Sequence, residues 1–300
     1  MQELLQHFIN GISLGSIYAL IALGYTMVYG VLNLINFAHA DVYMIGAFVA
    51  YYTAQLFGLQ AHPGFVSLFI LLIASMVICS LLGVAIERLA YRPLRHAPKL
   101  NILITAIGVS LFLEYCGQII FGADPKLFPV VIAESDLFTF LNVPIRSIDA
   151  TILIVAFISM IGLRYIIFNT KTGRAMRAIS TSSSLASLMG INVDRVISIT
   201  FVIGSSLAGI GSILVGLKYP KIEPLMGMLV GLKAFVAAVL GGIGSIPGAV
   251  LGGLLMGLSE EMVVAYISST YRDAFAFGIL IIILVFKPTG LMGKTQVEKV

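Results

Sequence analysis

Charged side chains are scarce in this sequence. Only 11% of its 300 residues are Asp, Glu, Lys or Arg, whereas 59% are hydrophobic, and the mean hydropathy is +1.04. A soluble domain carries roughly 25% charged residues, and it could not keep so much apolar surface away from water. The composition therefore excludes a soluble fold and predicts a polytopic integral membrane protein.

Motifs that carry catalysis or bind metals are also missing. Cys79 and Cys116 each lie in an apolar segment without a CxxC pair or a histidine at metal-ligand spacing, so we expect inert packing cysteines. The sequence has no G-x-S-x-G and no H-E-x-x-H. The basic residues lie in short loops rather than on one exposed face, which argues against nucleic-acid binding. We therefore predict a protein that is not an enzyme and has no catalytic residue, metal site or bound cofactor.

One lookalike near the end of the chain needs to be rejected. Gly293-Lys294-Thr295 resembles the last residues of a Walker A motif. Pro288 stands at the first glycine position, and too few residues follow Thr295 to form the helix that would hold a phosphate. We therefore predict that this chain does not hydrolyse ATP.

Nine apolar segments have about the length that a membrane span needs. They predict an all-α fold, a polytopic transmembrane helical bundle of about eight to nine spans with broken helices, in a single domain over 1–300. The initial residues before the first segment contain no Lys or Arg, so we expect a retained span rather than a signal peptide. The segments are 8–31, 38–57, 64–87, 101–122, 148–168, 195–217, 228–241, 247–266 and 274–287.

Most of the 18 basic residues lie in three regions that fall on the same side of the membrane. Cytoplasmic loops are enriched in Lys and Arg, so this side and the C-terminus are predicted to be cytoplasmic. No Lys or Arg precedes Arg88, and the side of the N-terminus therefore stays open. The three regions are 88–100, 164–195 and the tail with Lys287, Lys294 and Lys299.

Two loops are long enough to have a role of their own. Loop 123–147, on the non-cytoplasmic side, suits a cap or a docking surface. Loop 169–194 is predicted to form two short amphipathic helices, broken around 182–184 and ended by Gly190. Its apolar faces favour docking to a partner over simple contact with anionic lipid. These faces consist of Ala175, Ala178 and Ile179, and of Leu185, Leu188 and Met189.

The most informative segment is 30–41, where polar residues interrupt an apolar background. Asn33, Asn36, His39 and Asp41 lie there, and polar groups at such depth usually face a protein interior or a water-filled path. His39 and Asp41 are two residues apart, so on a helix they point to different faces and form no acid–base pair. The segment predicts a functional break between two spans. Its polar residues either touch a transported substrate or hold the break together.

A second irregular segment, 241–248, contains Gly242 and Gly244. It is either a tight loop at the cytoplasmic face or a broken helix that lines a transport path. The preceding Lys233 either lines that path or extends its side chain to the nearer surface, and Glu260 and Glu261 are expected at an interface. Three pairs of small residues predict close helix packing: Gly204 and Ala208, Gly248 and Gly252, and Gly253 and Gly257.

Four stretches together resemble one family, the branched-chain amino acid ABC transporter permeases, and in particular their LivH-type subunit. They are 14–41, 173–178, 233–253 and 287–293. The resemblance runs in order through nearly the whole chain. Ala40 stands where the family usually has glycine, and three serines stand at 182–184 where an acidic position is common.

The resemblance implies an importer subunit of the bacterial cytoplasmic membrane that works with a homologous LivM-type permease, two cytoplasmic ATPases and a periplasmic binding protein. ATP would be hydrolysed by those partners. The implied ATPase-coupling residues are Gly173, Arg174, Ala175, Arg177, Ala186 and Gly190, and the candidate path residues are Asn33, Asn36, His39, Asp41, Lys233, Gly242 and Gly244. Two alternatives stay open: a related permease for urea, amides or other small solutes, and a proton-coupled carrier that uses His39, Asp41 and Lys233.

Overall fold

Eleven α-helices dominate the part of the chain that the computed structural model describes, which is residues 2–95, 97–140 and 143–293. Lys294, Thr295 and Lys299 lie outside the described residues. The helices are α1 (Gln2–Leu32), α2 (His39–Leu56), α3 (Phe65–Ile86), α4 (Lys99–Phe121), α5 (Ser147–Asn169), α6 (Lys171–Thr181), α7 (Ser183–Leu188), α8 (Val193–Lys218), α9 (Met226–Gly241), α10 (Ile246–Tyr266) and α11 (Arg272–Phe286).

Each of the nine predicted segments coincides with one long helix, so the expected all-α bundle is confirmed. Seven of these helices are long and apolar enough to cross a membrane, and α9 is a shorter apolar helix. α2 has 18 residues and carries His39 and Asp41 in its first turn. The largest difference from the prediction is at the start of α1, which begins at Gln2 rather than near residue 8.

Helix α1 is the centre of the bundle. Of its 18 most apolar consecutive residues, 94% are buried. The helix packs mainly against α10 and α8, and also against α9. A helix that is apolar on all sides lies in a protein core or in a membrane, and α1 is covered by other helices of the bundle. Its close approach to α10 depends on glycine: a Cβ atom on Gly257 would lie 2.2 Å from the backbone nitrogen of Gly15, and one on Gly253 would lie 2.4 Å from that of Ala19.

The predicted small-residue packing is therefore confirmed for this pair of glycines. Gly248 and Gly252 serve the neighbouring contact in the same way. A Cβ atom on Gly248 would lie 2.4 Å from the carbonyl oxygen of Gly241, and one on Gly252 would lie 2.0 Å from that of Ala237. The residue numbers of these contacts rise along α10 as they fall along α9, so the two helices are antiparallel neighbours.

The outer helices expose most of their apolar side chains. Of the 18 most apolar consecutive residues, only 28% are buried in α4 and in α5, and only 6% in the segment that contains α11. Such faces are expected where lipid or another membrane subunit, rather than water, surrounds the helix.

Loop 123–147 forms a small antiparallel cap. Strand β1 (Lys126–Leu127) pairs with β4 (Lys221–Ile222), and β2 (Asp136–Phe140) pairs with β3 (Val143–Arg146). The buried Phe128 ring lies where a side chain on Gly216 would be, because a Cβ atom there would come within 2.5 Å of it. The cap is thus attached to the end of α8.

The predicted pair of short helices in loop 169–194 is also confirmed, as α6 and α7. The Thr170 hydroxyl accepts a hydrogen bond from the Gly173 N–H (3.1 Å), and the Ser182 hydroxyl accepts one from the Leu185 N–H (3.3 Å), so each helix starts with a side-chain cap. The break is confined to Ser182. Gly190, with a φ angle of 80°, lies in the left-handed region just beyond α7.

Candidate functional site: the α1–α2 break and its buried polar groups

The α1–α2 break, residues 33–38, begins at Asn33. The Asn33 N–H donates to the Tyr29 carbonyl oxygen across 2.7 Å, and its φ angle of 53° lies in the left-handed region, which stops the helix there. Asparagine is among the few residues other than glycine that occupy this region readily. The Asn33 side chain is exposed, so its visible role is to end α1.

Asn36 anchors the middle of the break. Its side chain is buried, and its Oδ1 atom accepts a hydrogen bond of 2.8 Å from the hydroxyl of Tyr91. Tyr91 is the last residue of a π-helical turn, Glu87–Tyr91, that continues α3. Turns of this kind are rare and often occur at functional sites. Sequence reasoning did not identify Tyr91, because it lies 55 positions from Asn36.

His39 and Asp41 lie in the first turn of α2 and are fully buried. The His39 ring packs edge-on against the Tyr25 ring at 4.8 Å, and its Nε2 atom fills the space beside Gly24, where a Cβ atom would come within 2.2 Å. Asp41 faces α4 instead, where its Oδ2 atom accepts a hydrogen bond from the Ser110 hydroxyl. The prediction that the two side chains point to different faces is confirmed.

Two buried polar atoms of the candidate path residues, His39 Nε2 and Asp41 Oδ1, have no hydrogen-bond partner among the described residues. Buried polar atoms are nearly always hydrogen-bonded, and an exception calls for a reason. Among the described candidate path residues, Asp41 therefore offers a carboxylate oxygen, and His39 a ring nitrogen, that could bind a ligand.

The π-helical turn carries its own cluster of charges. Glu87 is fully buried and forms an ion pair with Arg95, and it accepts a hydrogen bond of 2.7 Å from the Ser198 hydroxyl. Arg92 and Arg95 both pair with Asp194, in the first turn of α8. The end of α3, which holds Asn36 through Tyr91, is thus joined to the helix that follows the α6–α7 loop.

The glycine-rich segment is a tight turn rather than a gap within one helix. Gly242 and Gly244 have φ angles of 103° and 92°, which favour glycine, and they lie in the four-residue turn between α9 and α10. The chain's last described residues close over this turn. The N–H of Leu291 donates to the Leu240 carbonyl oxygen and that of Met292 donates to the Gly241 carbonyl oxygen, each across 2.9 Å.

Lys233 belongs to a third group, the ion cluster of Lys233, Glu260, Arg272 and Asp273, in which Lys233 and Glu260 are buried and Asp273 is half-exposed. The Lys233 Nζ atom lies 2.7 Å from Glu260 Oε1 and 2.6 Å from Asp273 Oδ1. Arg272 Nε lies 2.9 Å from the same oxygen of Glu260. Lys233, a candidate path residue, is 8% exposed, and its ammonium group lies between the buried Glu260 and the half-exposed Asp273.

Glu260 and Glu261, which the sequence places at an interface, are covered by side chains of other helices. The two side chains are buried, at 1% and 9% exposure. Glu260 is neutralised by the ion cluster, and Glu261 Oε1 lies 3.2 Å from His7 Nδ1 and 3.4 Å from Asn10 Nδ2 of α1. A buried carboxylate is tolerated where such partners surround it.

The candidate path residues thus lie in three separate groups: the α1–α2 break, the turn between α9 and α10, and the ion cluster around Lys233. Gly231 contacts Ala40 of α2, since a Cβ atom there would lie 2.2 Å from that of Ala40. Lys233, two residues further along α9, points instead toward α10 and α11.

Within the described ranges, no group of three or more His, Cys, Asp or Glu side chains could hold a metal ion, and Cys79 and Cys116 are free thiols.

The central buried helix, the surrounding apolar helices and the polar break define a polytopic membrane permease. Residues 7–284 match the family model of the branched-chain amino acid transport system permease component, and the chain belongs to this family. The resemblance found in the sequence is confirmed.

Relatives of known name cover almost the entire chain. It is 45% identical to the high-affinity branched-chain amino acid transport system permease protein LivH of Escherichia coli (strain K12), over 99% of this chain and 97% of that protein. It is 44% identical to the corresponding protein BraD of Pseudomonas aeruginosa, over 99% and 98%. The probable permease LivH of Methanocaldococcus jannaschii is 30% identical over 93% and 89%. No solved structure matches the chain significantly.

Proposed function

We propose that this chain is the membrane-spanning permease subunit of an ABC importer that moves branched-chain amino acids into the cytoplasm. The observation that carries the proposal is 45% identity over 99% of the chain to a permease named for that transport. The residues of the break, the α6–α7 loop and the glycine-rich turn all fall within the matched region.

The energy for transport would come from partner subunits. The α6–α7 loop, within the proposed cytoplasmic coupling loop 169–194, presents Leu185, Leu188 and Met189 at 63%, 83% and 82% exposure. Two such side chains on a helix of six residues, and a third directly after it, favour a protein partner, and we assign this face to an ATPase. ATP would be bound and hydrolysed there and not by this chain.

The coupling residues would then divide into two kinds. Gly173 and Ala186 are buried and seat the two helices on the permease, and a Cβ atom on Gly173 would lie 2.2 Å from the Ile167 carbonyl oxygen. Arg174 and Arg177 are exposed, and the Arg177 guanidinium lies 5.2 Å from the centre of the Phe168 ring, while Ala175 is half-buried between them. Gly190 lets the chain turn back into α8.

The contacts favour two different roles for the polar residues of the break: some hold the break together, and one binds the substrate. Asn36 and His39 have their side chains packed against Tyr91 and Tyr25, which supports a role in holding the break. Asp41 retains one acceptor without a partner in the described structure. We propose that this oxygen receives the ammonium group of the amino acid when the helices rock between outward and inward access.

The complete importer would contain a second, LivM-type permease, two cytoplasmic ATPases and a periplasmic binding protein. It would lie in the bacterial cytoplasmic membrane with the C-terminus of this chain inside, as the excess of basic residues on that side predicts. A LivM-type partner is expected because the family resemblance implies two homologous permeases.

The test is uptake of labelled leucine, urea and an aromatic amino acid into vesicles that contain the assembled importer and its binding protein. ATP inside the vesicles should drive leucine uptake, and an ionophore that collapses the proton gradient should leave it unchanged. Loss of uptake with the gradient, at constant ATP, would favour the proton-coupled carrier. Uptake of urea in preference to leucine would assign a different substrate.

A further inference from the structure

A groove of about 1170 Å³ runs along the outside of the bundle between α1, α5 and α10. Its floor includes Ile12 of α1, and its walls include Phe157 and Ile161 of α5 and Leu251 of α10. The wall residues are 43% to 65% exposed, so the groove opens sideways to the surroundings of the bundle. In a membrane such a groove is filled by an apolar chain or by another protein.

One end of this groove is charged. Arg164 is the only charged residue among the described residues that line it, and it makes no ion pair within the described part of the chain. Phe168 lies one helical turn further along α5 and also lines the groove, and the guanidinium of Arg177 lies 5.2 Å from the centre of its ring. Two arginines therefore lie at the same end as Phe168 and Asn169.

The length of the groove fits a lipid chain. Its lining extends along α5 from Leu153 to Phe168, which is about 22 Å at the helical rise of 1.5 Å per residue. One leaflet of the hydrocarbon core is about 15 Å thick, half of the full core. The apolar part can thus hold one acyl chain from end to end, with the arginines at the level of the headgroup.

We propose that this groove is a binding site for an anionic phospholipid, whose phosphate group pairs with Arg164 and whose acyl chain lies between α5 and α10. The occupant is a lipid rather than a protein because the positive charge stands at one end of a channel whose other described lining residues are apolar except for Ser16 and Asn169. Basic pockets between membrane helices select anionic headgroups for the same reason. This inference goes beyond the proposed transport function and does not depend on the substrate.

A second groove gives an internal comparison. It lies between α3, α5 and α8, has a volume of about 550 Å³ and is lined by no charged residue in the described part of the chain. Gly162 lines this second groove, and Val250 lines the first. We expect the second groove to hold acyl chains without any preference for the headgroup.

The experiment is native mass spectrometry of the assembled importer, stripped of lipid and then titrated with phosphatidylglycerol or phosphatidylethanolamine. The unmodified importer should retain phosphatidylglycerol in preference. Arg164→Ala should lower its retention about fivefold, the factor that corresponds to roughly 1 kcal/mol for one basic residue near an anionic surface. Arg164→Lys should restore part of it, and Arg88→Ala, at an exposed arginine outside the groove, should change nothing.

Filling the groove tests the site without touching its charge. Val250→Phe should displace phosphatidylglycerol, whereas Gly162→Phe in the second groove should leave its retention unchanged. Equal retention by Arg164→Ala and the unmodified importer would overturn the proposal. So would a Leu251→Cys variant that forms crosslinks to the second permease in a lipid-free complex, because the groove would then be a protein interface.

Discussion

The hydroxyl of Tyr91 donates a hydrogen bond of 2.8 Å to Oδ1 of Asn36, and this single contact ties the α1–α2 break to the end of α3. Both side chains are buried, at 3% exposure each. Glu87, four residues before Tyr91, reaches α8 through Ser198. The break is therefore held by the same π-helical turn that contacts the start of α8, directly after the proposed coupling loop.

Tyr91→Phe should loosen the break. It leaves the buried Asn36 oxygen without its donor, which typically costs about 1–3 kcal/mol. We expect a lower midpoint of thermal unfolding and slower uptake. Tyr29→Phe is the matched control, because the Tyr29 hydroxyl has no hydrogen bond to a described residue. Uptake and unfolding unchanged in both variants would show that the contact does not hold the break.

Lys233→Met should destabilise the permease strongly. Removing one partner of a buried ion pair costs up to about 3–5 kcal/mol; here Glu260 loses one of its two cationic partners and keeps Arg272. Lys221→Met removes an ion pair with Glu223 in which Lys221 is 61% exposed, and such pairs contribute about 0–1 kcal/mol. Thermal unfolding of the purified chain compares the two. Combining Lys233→Met with Glu260→Gln should recover part of the loss, and a double variant no better than the single one would contradict the pairing.

Gly257→Val should prevent the close approach of α1 and α10. Its Cβ atom would lie 2.2 Å from the Gly15 backbone nitrogen, and backbone cannot move aside as a flexible side chain can. We expect little folded protein, measured as the monodisperse fraction after size-exclusion chromatography. Gly278→Val is the control, since a Cβ atom on Gly278 of α11 meets no atom within 4 Å. Similar yields for the two variants would disprove the packing argument.

Arg174→Glu should uncouple ATP hydrolysis from transport while the chain still inserts into the membrane. The side chain is exposed on α6 in the proposed ATPase contact. Arg195→Glu reverses an exposed charge in α8, outside α6 and α7, and should retain coupling. Substrate-stimulated ATP hydrolysis at the unmodified rate in Arg174→Glu would remove the docking role of this loop.

Local features of the sequence were enough to predict the elements of this fold. Apolar segments of sufficient length gave the long helices, and Ser182 and Gly190 marked the ends of α7 because serine caps and left-handed glycine are local signals. Polar residues in an apolar background located the α1–α2 break.

The contacts between distant residues could not be predicted in this way. No local feature of the sequence predicts the ion pair between Glu260 and Lys233, which lies 27 positions earlier. Glu260 was therefore expected at an interface. Tyr91 appeared to be part of a basic loop, because nothing in the sequence signals a π-helical turn. Whether Asp41 kept a free acceptor depended on which residue of α4 faced it, and only the packing of the helices decides that.

The burial of α1 has a consequence for how the chain is made. The ribosome produces α1 before α10, and Gly257, which fits against Gly15, follows roughly 240 residues later. At about 5–20 residues per second, the helix waits on the order of 10 to 50 s for that partner. During this interval its small residues lie against lipid or the insertion machinery. A chain that stops before α10 therefore leaves the small-residue face of α1 without its packing partner.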